Sequence, residues 1–163
     1  MARNSHCTVV AIAGLMRALL QRVTSAQVNV KEETVGKIEA GIMVLVCAMP
    51  SDNADTVAKL AARISKLRIF QDEEGRMNKS ILDIGGSALV VSQFTLAADT
   101  RRGNRPGFSG AAAPDHANEI YENFCDALAT HGIPIEKGVF GANMAVSLTN
   151  DGPVTIWMDT ADQ

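Results

Sequence analysis

Ser92, Gln93 and Thr95 bring two hydroxyls and a carboxamide to the end of the apolar pair Val90-Val91. An apolar run that turns polar reads as a buried strand with hydrogen-bonding groups at its exit. A basic, glycine-rich loop follows, through Arg101, Arg102, Gly103, Asn104, Arg105, Pro106 and Gly107. Polar groups at a strand exit beside clustered guanidinium groups suit an anionic ligand. The same residues also fit an ordinary strand end beside a solvated loop, and spacing alone does not choose between the two.

Other chemistry is sparse. His6, His116 and His131 are scattered, and none lies in a motif with a serine and an acid. No carboxylate pair stands out. Asp99 and Asp151 lie near the two polar stretches, where Asp is ordinarily a turn residue. Cys7, Cys47 and Cys125 are far apart and flanked by apolar residues. They lack metal-ligand spacing and read as inert thiols of a reducing compartment, so no metal or cofactor is expected.

The elements that must position these residues can be read in order. Met16–Thr24 is a strand, and Gln27–Val30 and Val35–Glu39 flank the polar turn Lys31–Thr34 as a hairpin. Ile42–Ala48 is a continuous apolar run, as in a strand buried on both faces. Ser51, Asp52 and Asn53 supply caps for a helix running to about Leu67, with Val57, Leu60, Ala61, Ile64 and Leu67 on one face. Arg68–Phe70 and Met77–Asp83 are short strands, and Gly85-Gly86 turns the chain into Ala88–Phe94 as a hairpin. The long loop Ala97–Pro114 is functional or mobile. Pro114 then opens a second helix facing inward through Ile120, Phe124, Ala127 and Leu128, stopped by Gly132. Pro134–Phe140, Met144–Asn150 and Val154–Asp159 are strands, the last two joined by an Asn150–Pro153 turn. Pattern alone gives mixed α/β or α+β, with about eight strands and two main helices in one domain.

Two stretches change the weight of the polar residues. Ser92-Gln93-Phe94-Thr95-Leu96 and Asn150-Asp151-Gly152-Pro153-Val154-Thr155 together resemble the paired signature motifs of the D-aminoacyl-tRNA deacylase family. The resemblance extends from Met16 to about Asp159, through Gln21–Ala26, Leu67–Asn78, Leu89–Ala112 and Gly138–Met144. It implies a three-layer β/β/α domain, a homodimer, and hydrolysis of the ester joining a D-amino acid to the 3′ end of tRNA. Hydrolysis of the D-amino acid ester would make the reaction a chiral proofreading step, and glycyl-tRNA mischarged on tRNA-Ala is a second expected substrate.

The resemblance also distributes roles. Ser92, Gln93, Phe94 and Thr95 become the catalytic segment. The backbone N–H groups of Phe94 and Thr95 are expected to face the forming oxyanion, and the Thr95 hydroxyl to position substrate. Phe94 is expected either in the core or against the terminal adenine. Gly152-Pro153, Arg22 and Met144 become substrate-binding residues. The X–Pro default is trans, whereas the resemblance implies a cis Gly152-Pro153 bond reaching into the partner subunit's pocket, with Arg22 fixing that loop. Met77 and Asn78 match another family segment without an assigned role. Arg101, Arg102 and Arg105 are expected to meet tRNA phosphates. The rival reading is a tRNA- or nucleic-acid-binding module that grips a 3′ end without hydrolysis.

Composition sets the outer bounds. The 163-residue chain is long enough for one domain with a real core, and 47% of it is hydrophobic. Its net charge is −3, and it has one Trp and one Tyr, so a general nucleic-acid binder with stacking platforms is disfavoured. Local charge matters more, at the arginine loop and at Arg63, Lys66 and Arg68. No apolar run approaches the ~20 residues of a membrane span, and a cytoplasmic protein is expected. Residues 1–15 precede the family-like sequence. With Arg3 as their only basic residue, they are expected to be an upstream start or a disordered extension to the 16–163 domain rather than a signal peptide.

Overall fold

The computed structural model describes residues 15–162, so the expected N-terminal extension lies outside the described residues except for Leu15. The strands are β1 (Arg17–Val30), β2 (Glu33–Ile38), β3 (Gly41–Cys47), β4 (Phe70–Gln71), β5 (Met77–Lys79), β6 (Ser87–Ser92), β7 (Ile135–Lys137) and β8 (Ala145–Asp159). The helices are α1 (Ala54–Lys66) and α2 (Pro114–Thr130). The expected mixed α/β class, with eight strands and two α-helices, therefore holds for the described residues.

β1 organises the sheet. One edge pairs antiparallel with β3 through Arg17–Val23 and with β2 through Ala26–Val30; the other edge pairs with β8 over nearly its whole length. The order continues β3-β6-β7, with both of those pairings parallel. Of two register shifts around Val23, the one between Val23 and Ser25 marks a bulge in β1, and the one between Gln21 and Val23 lets the Asp151–Val154 stretch of β8 loop out. A bulge bends a strand and re-aims its side chains. Leu20 accordingly faces the helices, whereas Ala26 and Val28 face the opposite side. The bent sheet nearly closes where β2 meets β7. A Cβ on Gly36 would lie 2.6 Å from the Lys137 carbonyl oxygen, so only glycine allows that approach.

Two cores make the three layers. Leu20, Ile42, Val44, Val46 and Val90 pack against Leu60 and Ile64 of α1 and Phe124 and Leu128 of α2. On the other face Val23, Val28, Ile38, Met43, Leu89 and Val91 fill the interior of the bent sheet. Neighbours in sequence thus serve opposite cores, which is why β3 and β6 read as unbroken apolar runs.

Helix α1 begins at an Asn53 capping box, its side chain accepting from the Asp55 and Thr56 N–H groups. Pro114 opens α2, and Gly132 beyond its end has φ +90°. Buried Asp52 accepts from the Met16 and Met49 N–H groups, both at 2.7 Å, tying the start of β1 to the loop before α1. Burial raises the pKa of its carboxyl.

Several expected elements are redrawn. The strands expected over Met16–Thr24 and Gln27–Val30 are one strand, because a bulge rather than a turn absorbs the polar residues between them. The β1–β2 connection is only Lys31-Glu32, both at positive φ. Met77–Asp83 is a strand only to Lys79, since Ser80 and Asp83 then hydrogen-bond each other's backbone and close a turn. Gly85-Gly86 joins no hairpin: β5 pairs with β4, and β6 enters the main sheet in parallel with β3. The Asn150–Pro153 segment does not reverse the chain either. Both halves of β8 continue along β1, with Asn150 bridging the kink by donating to the Arg22 and Val154 carbonyls.

Candidate active site

Strand β6 ends at Ser92, one residue short of the amide of Gln93, whose N–H still donates to the Val46 carbonyl of β3 at 2.8 Å. The expected strand therefore stops before Phe94, and Phe94–Ala97 form a 3₁₀ turn. The reason is local: the Leu96 N–H turns back to the Gln93 carbonyl, and the Ala98 N–H to that of Thr95. A turn of this kind leaves its leading N–H groups without intrahelical acceptors. Among the described residues, none accepts from the Phe94 or Thr95 N–H. The Gln93 amide donates to the Thr95 hydroxyl oxygen, so the hydroxyl hydrogen remains available to donate elsewhere. No carboxylate or imidazole among the described residues hydrogen-bonds Thr95, and a general base for nucleophilic attack by Thr95 is not in place.

A cavity of about 560 Å³ opens beside this turn. Ser92, Gln93 and Phe94 form one side, Phe108 and Ala112 another, and Phe140 and Met144 a third. Phe94 is 57% exposed and meets Phe108 edge-on at 5.0 Å between centroids. It therefore stands at the cavity mouth, which removes the core alternative for this residue. Met144 packs close to Gly138, where an added Cβ would lie 2.7 Å from its sulfur. The expected residues Ser92, Gln93, Phe94 and Met144 thus come together around one space, whereas Thr95, next in the chain after Phe94, is exposed and is not among its lining residues.

Gly152 and Pro153 do not line that cavity within the same chain. Their peptide bond is cis, and Gly152 has φ +120°. Arg22 holds this kink at the β1 bulge. Its side chain is only 6% exposed; Nη1 donates to the Ile69 carbonyl at 2.6 Å, and Nε to the Asp151 carbonyl at 3.2 Å. An Asp151 carboxylate oxygen lies 3.2 Å from the same Nε. Nearby, Met77 is exposed, and Asn78 accepts from Arg68.

The basic loop is a tied finger. Asp99 and Gly107 exchange backbone hydrogen bonds of 2.7 and 2.9 Å, which closes the segment carrying the arginines. Within the expected trio, Arg101 differs from the other two in having a partner in the loop. Its guanidinium grips Asp99 through two contacts of 2.9 and 2.7 Å, and the Asp99 carboxyl is held well below the usual carboxylate range. The pair is a surface one, and the Arg101 side chain remains 87% exposed. Arg102 and Arg105 are exposed, with no ion-pair partner among the described residues.

Phe108, Ala112 and Phe140 line the cavity but were not singled out in the sequence. Phe108 and Ala112 lie in the long loop, where no periodicity exposes facing. Phe140 belongs to the quoted Gly138–Met144 stretch, from which only Met144 drew attention. Cys47 and Cys125 are buried free thiols, with burial pushing their pKa values up to about 11 and about 12. Cys7 lies outside the described residues. Among those residues no three His, Cys, Asp or Glu side chains form a group able to hold a metal ion, and no helix is long and apolar enough to cross a membrane.

Similarity to known proteins places the chain among hydrolases acting on ester bonds. The chain belongs to the D-Tyr-tRNA(Tyr) deacylase family, whose model matches residues 19–159. It is 61% identical over 148 residues to the D-aminoacyl-tRNA deacylase of Paracoccus denitrificans, covering 91% of this chain and 99% of that protein. The D-aminoacyl-tRNA deacylase of Dinoroseobacter shibae is 63% identical over 144 residues, covering 88% of this chain and 99% of that protein. Among solved structures, one described as a c-Myc DNA unwinding element binding protein aligns with TM-score 0.81 at 38% identity, covering 87% of this chain and 97% of that one. Another, described as a probable eukaryotic D-amino acid tRNA deacylase, shares the fold with TM-score 0.77 at 18% identity, over 88% of this chain and 98% of that one.

Proposed function

We propose that this protein hydrolyses the ester linking a D-amino acid to the 3′-terminal ribose of tRNA, releasing free tRNA and the amino acid. The observation that carries the reading is the 3₁₀ turn at the cavity rim, with the Phe94 and Thr95 N–H groups free and the Thr95 hydroxyl oriented by Gln93. Water adds to the ester carbonyl, and the two N–H groups stabilise the forming oxyanion. One such donor is typically worth about 10²–10³ in rate. As the carbonyl re-forms, the C–O bond to ribose breaks, and the proton lost by water ends on the ribose oxygen. An aminoacyl ester is reactive enough for this machinery without a side-chain base.

Stereochemistry is assigned to Gly152-Pro153, working as part of a homodimer in which the kink enters the partner subunit's cavity. Main-chain atoms reject any L-side chain, while a D-side chain points away and glycine has none. Glycyl-tRNA mischarged on tRNA-Ala is then also a substrate, and the reaction serves chiral proofreading in the cytoplasm. A monomer with full activity would overturn this arrangement.

The experiment is incubation with D-tyrosyl-tRNA at catalytic enzyme concentration, where multiple turnovers are expected. Thr95→Ala should lower kcat about 10–100-fold, and Thr95→Ser should retain most of it, because the hydroxyl rather than the methyl is used. A covalent acyl group trapped on Thr95 would instead establish a nucleophile.

A second reading, nucleic-acid binding without hydrolysis, draws on the DNA-element description of the 38%-identical structure. Binding with intact ester would favour it. In either reading the free arginines answer to salt. Neutralising Arg102 and Arg105 together should flatten the slope of log affinity against log salt by about 1–2, while Arg101→Gln should change it less. Filter binding of tRNA across a salt series checks this, and an unchanged slope in the double variant would assign the loop elsewhere.

A further inference from the structure

We infer that Arg17 is a positioning residue for the 3₁₀ turn that carries the Phe94 and Thr95 N–H groups; the inference rests on the proposed deacylase reading. A turn's last carbonyls have no intrahelical donor, just as its first N–H groups have no acceptor. Within Phe94–Ala97, the Thr95 carbonyl accepts from the Ala98 N–H, and Leu96 follows it. The Leu96 carbonyl is taken by Arg17, whose Nη1 donates to it at 2.9 Å from the first residue of β1. The turn is therefore pinned at both ends: Gln93 to Val46 of β3, and Leu96 to Arg17 of β1.

The pose of Arg17 shows which partner sets it. Asp159 Oδ2 lies 3.3 Å from Arg17 Nε, within ion-pair range, yet this buried Nε has no properly aligned hydrogen-bond acceptor among the described residues. The side chain gives its good geometry to the Leu96 carbonyl and leaves the carboxylate with charge attraction alone. Asp159 is itself committed, through Oδ1, to the Ala161 N–H. A guanidinium aligned on a turn carbonyl, at the expense of an adjacent carboxylate, is placed to fix that turn. Nothing else in the proposed mechanism accounts for a half-buried cation at this point.

Releasing Leu96 should let the turn rotate and carry the Phe94 and Thr95 N–H groups out of line, and an error of about 1 Å in such donors can cost about 100-fold. Arg17→Met, which keeps the aliphatic stem, is expected to lower kcat on D-tyrosyl-tRNA about 10–100-fold with KM nearly unchanged. Arg17→Lys should recover part of the loss, since one ammonium can reach the carbonyl but not reproduce the fork. Asp159→Asn keeps the Arg17–Leu96 bond and should leave kcat within about twofold of wild type, as expected for a partly exposed pair.

The backbone amide NMR signals of Phe94 and Thr95 give a readout independent of turnover. They should shift in Arg17→Met while those of α1 and α2 stay in place. Unmoved signals in a folded Arg17→Met, unchanged kcat in that variant, or an equal loss in Asp159→Asn would each overturn the inference. If Arg17→Met does not fold, Arg17→Lys is read the same way, and wild-type kcat with wild-type amide signals would overturn it. Wild-type protein that leaves D-tyrosyl-tRNA intact would count against the deacylase reading. The amide signals would then decide by themselves whether Arg17 positions the turn.

Discussion

Gly152→Ala is expected to lower kcat/KM on D-tyrosyl-tRNA at least about 100-fold, through displacement of a recognition element by about an ångström or more. The backbone at Gly152 has φ +120°, where a residue with a Cβ is strained by about 1–3 kcal/mol. Space is also lacking. The new methyl carbon would lie 2.9 Å from Arg22 Nη2 and 2.9 Å from Val154 Cγ2. Arg22 cannot retreat without giving up its bond to the Ile69 carbonyl, so the kink itself must move. Hydrolysis of L-tyrosyl-tRNA should remain undetectable, because crowding does not open a new path for an L-side chain. Side-by-side assays on D- and L-tyrosyl-tRNA test both halves. Wild-type turnover of the D-ester would remove Gly152 from recognition, and a gain on the L-ester would mean that the segment relaxes outward.

Arg22→Ala is expected to destabilise the fold by about 3 kcal/mol and to depress turnover as strongly as Gly152→Ala. The side chain is nearly buried and bonds the Ile69 carbonyl and the Asp151 backbone. Removing it leaves these carbonyls without their donor and opens a gap behind the kink. The ion pair to half-exposed Asp151 contributes little of this, because solvent screens it. A fall in melting temperature of roughly 6–12 °C should follow. Arg22→Lys should recover some stability but less activity, since one ammonium cannot hold Ile69 and Asp151 together. Calorimetry with the turnover assay checks the pair. Activity kept despite lost stability would confine Arg22 to the scaffold.

The outcome differs between kinds of signal. Helix α1 was legible because Asn53 caps it and Val57, Leu60 and Ile64 repeat at helical spacing, all local properties. The apolar runs of β3 and β6 were legible for a similar reason: a strand covered on both faces must be apolar throughout. The redrawn regions are those where one local pattern fits two pairings. Asn150–Pro153 has turn chemistry, but Asn150 uses its side chain to keep the strand running beside β1. Gly85-Gly86 suits a hairpin, yet no antiparallel partner lies across it. Arg101 was not separated from Arg102 and Arg105 by sequence, since residue types alone do not say which guanidinium turns back onto Asp99.

The sequence by itself determined the class of fold, the family-like pair of motifs, the polar residues at Ser92–Thr95 and the lack of a Ser-His-Asp motif. These follow from residue types and short spacings, which survive without knowledge of long-range contacts. Only the tertiary structure decided that Phe94 opens a 3₁₀ turn with free N–H groups, and that Phe108, Phe140 and Met144 enclose the cavity beside it. It supplied the Arg22–Asp151 bond behind the role the resemblance implied for Arg22, and it alone set Arg17 against Leu96. Those contacts join residues 129 and 79 positions apart. The β1 bulge and the packing of two cores select them, and no local propensity encodes either one.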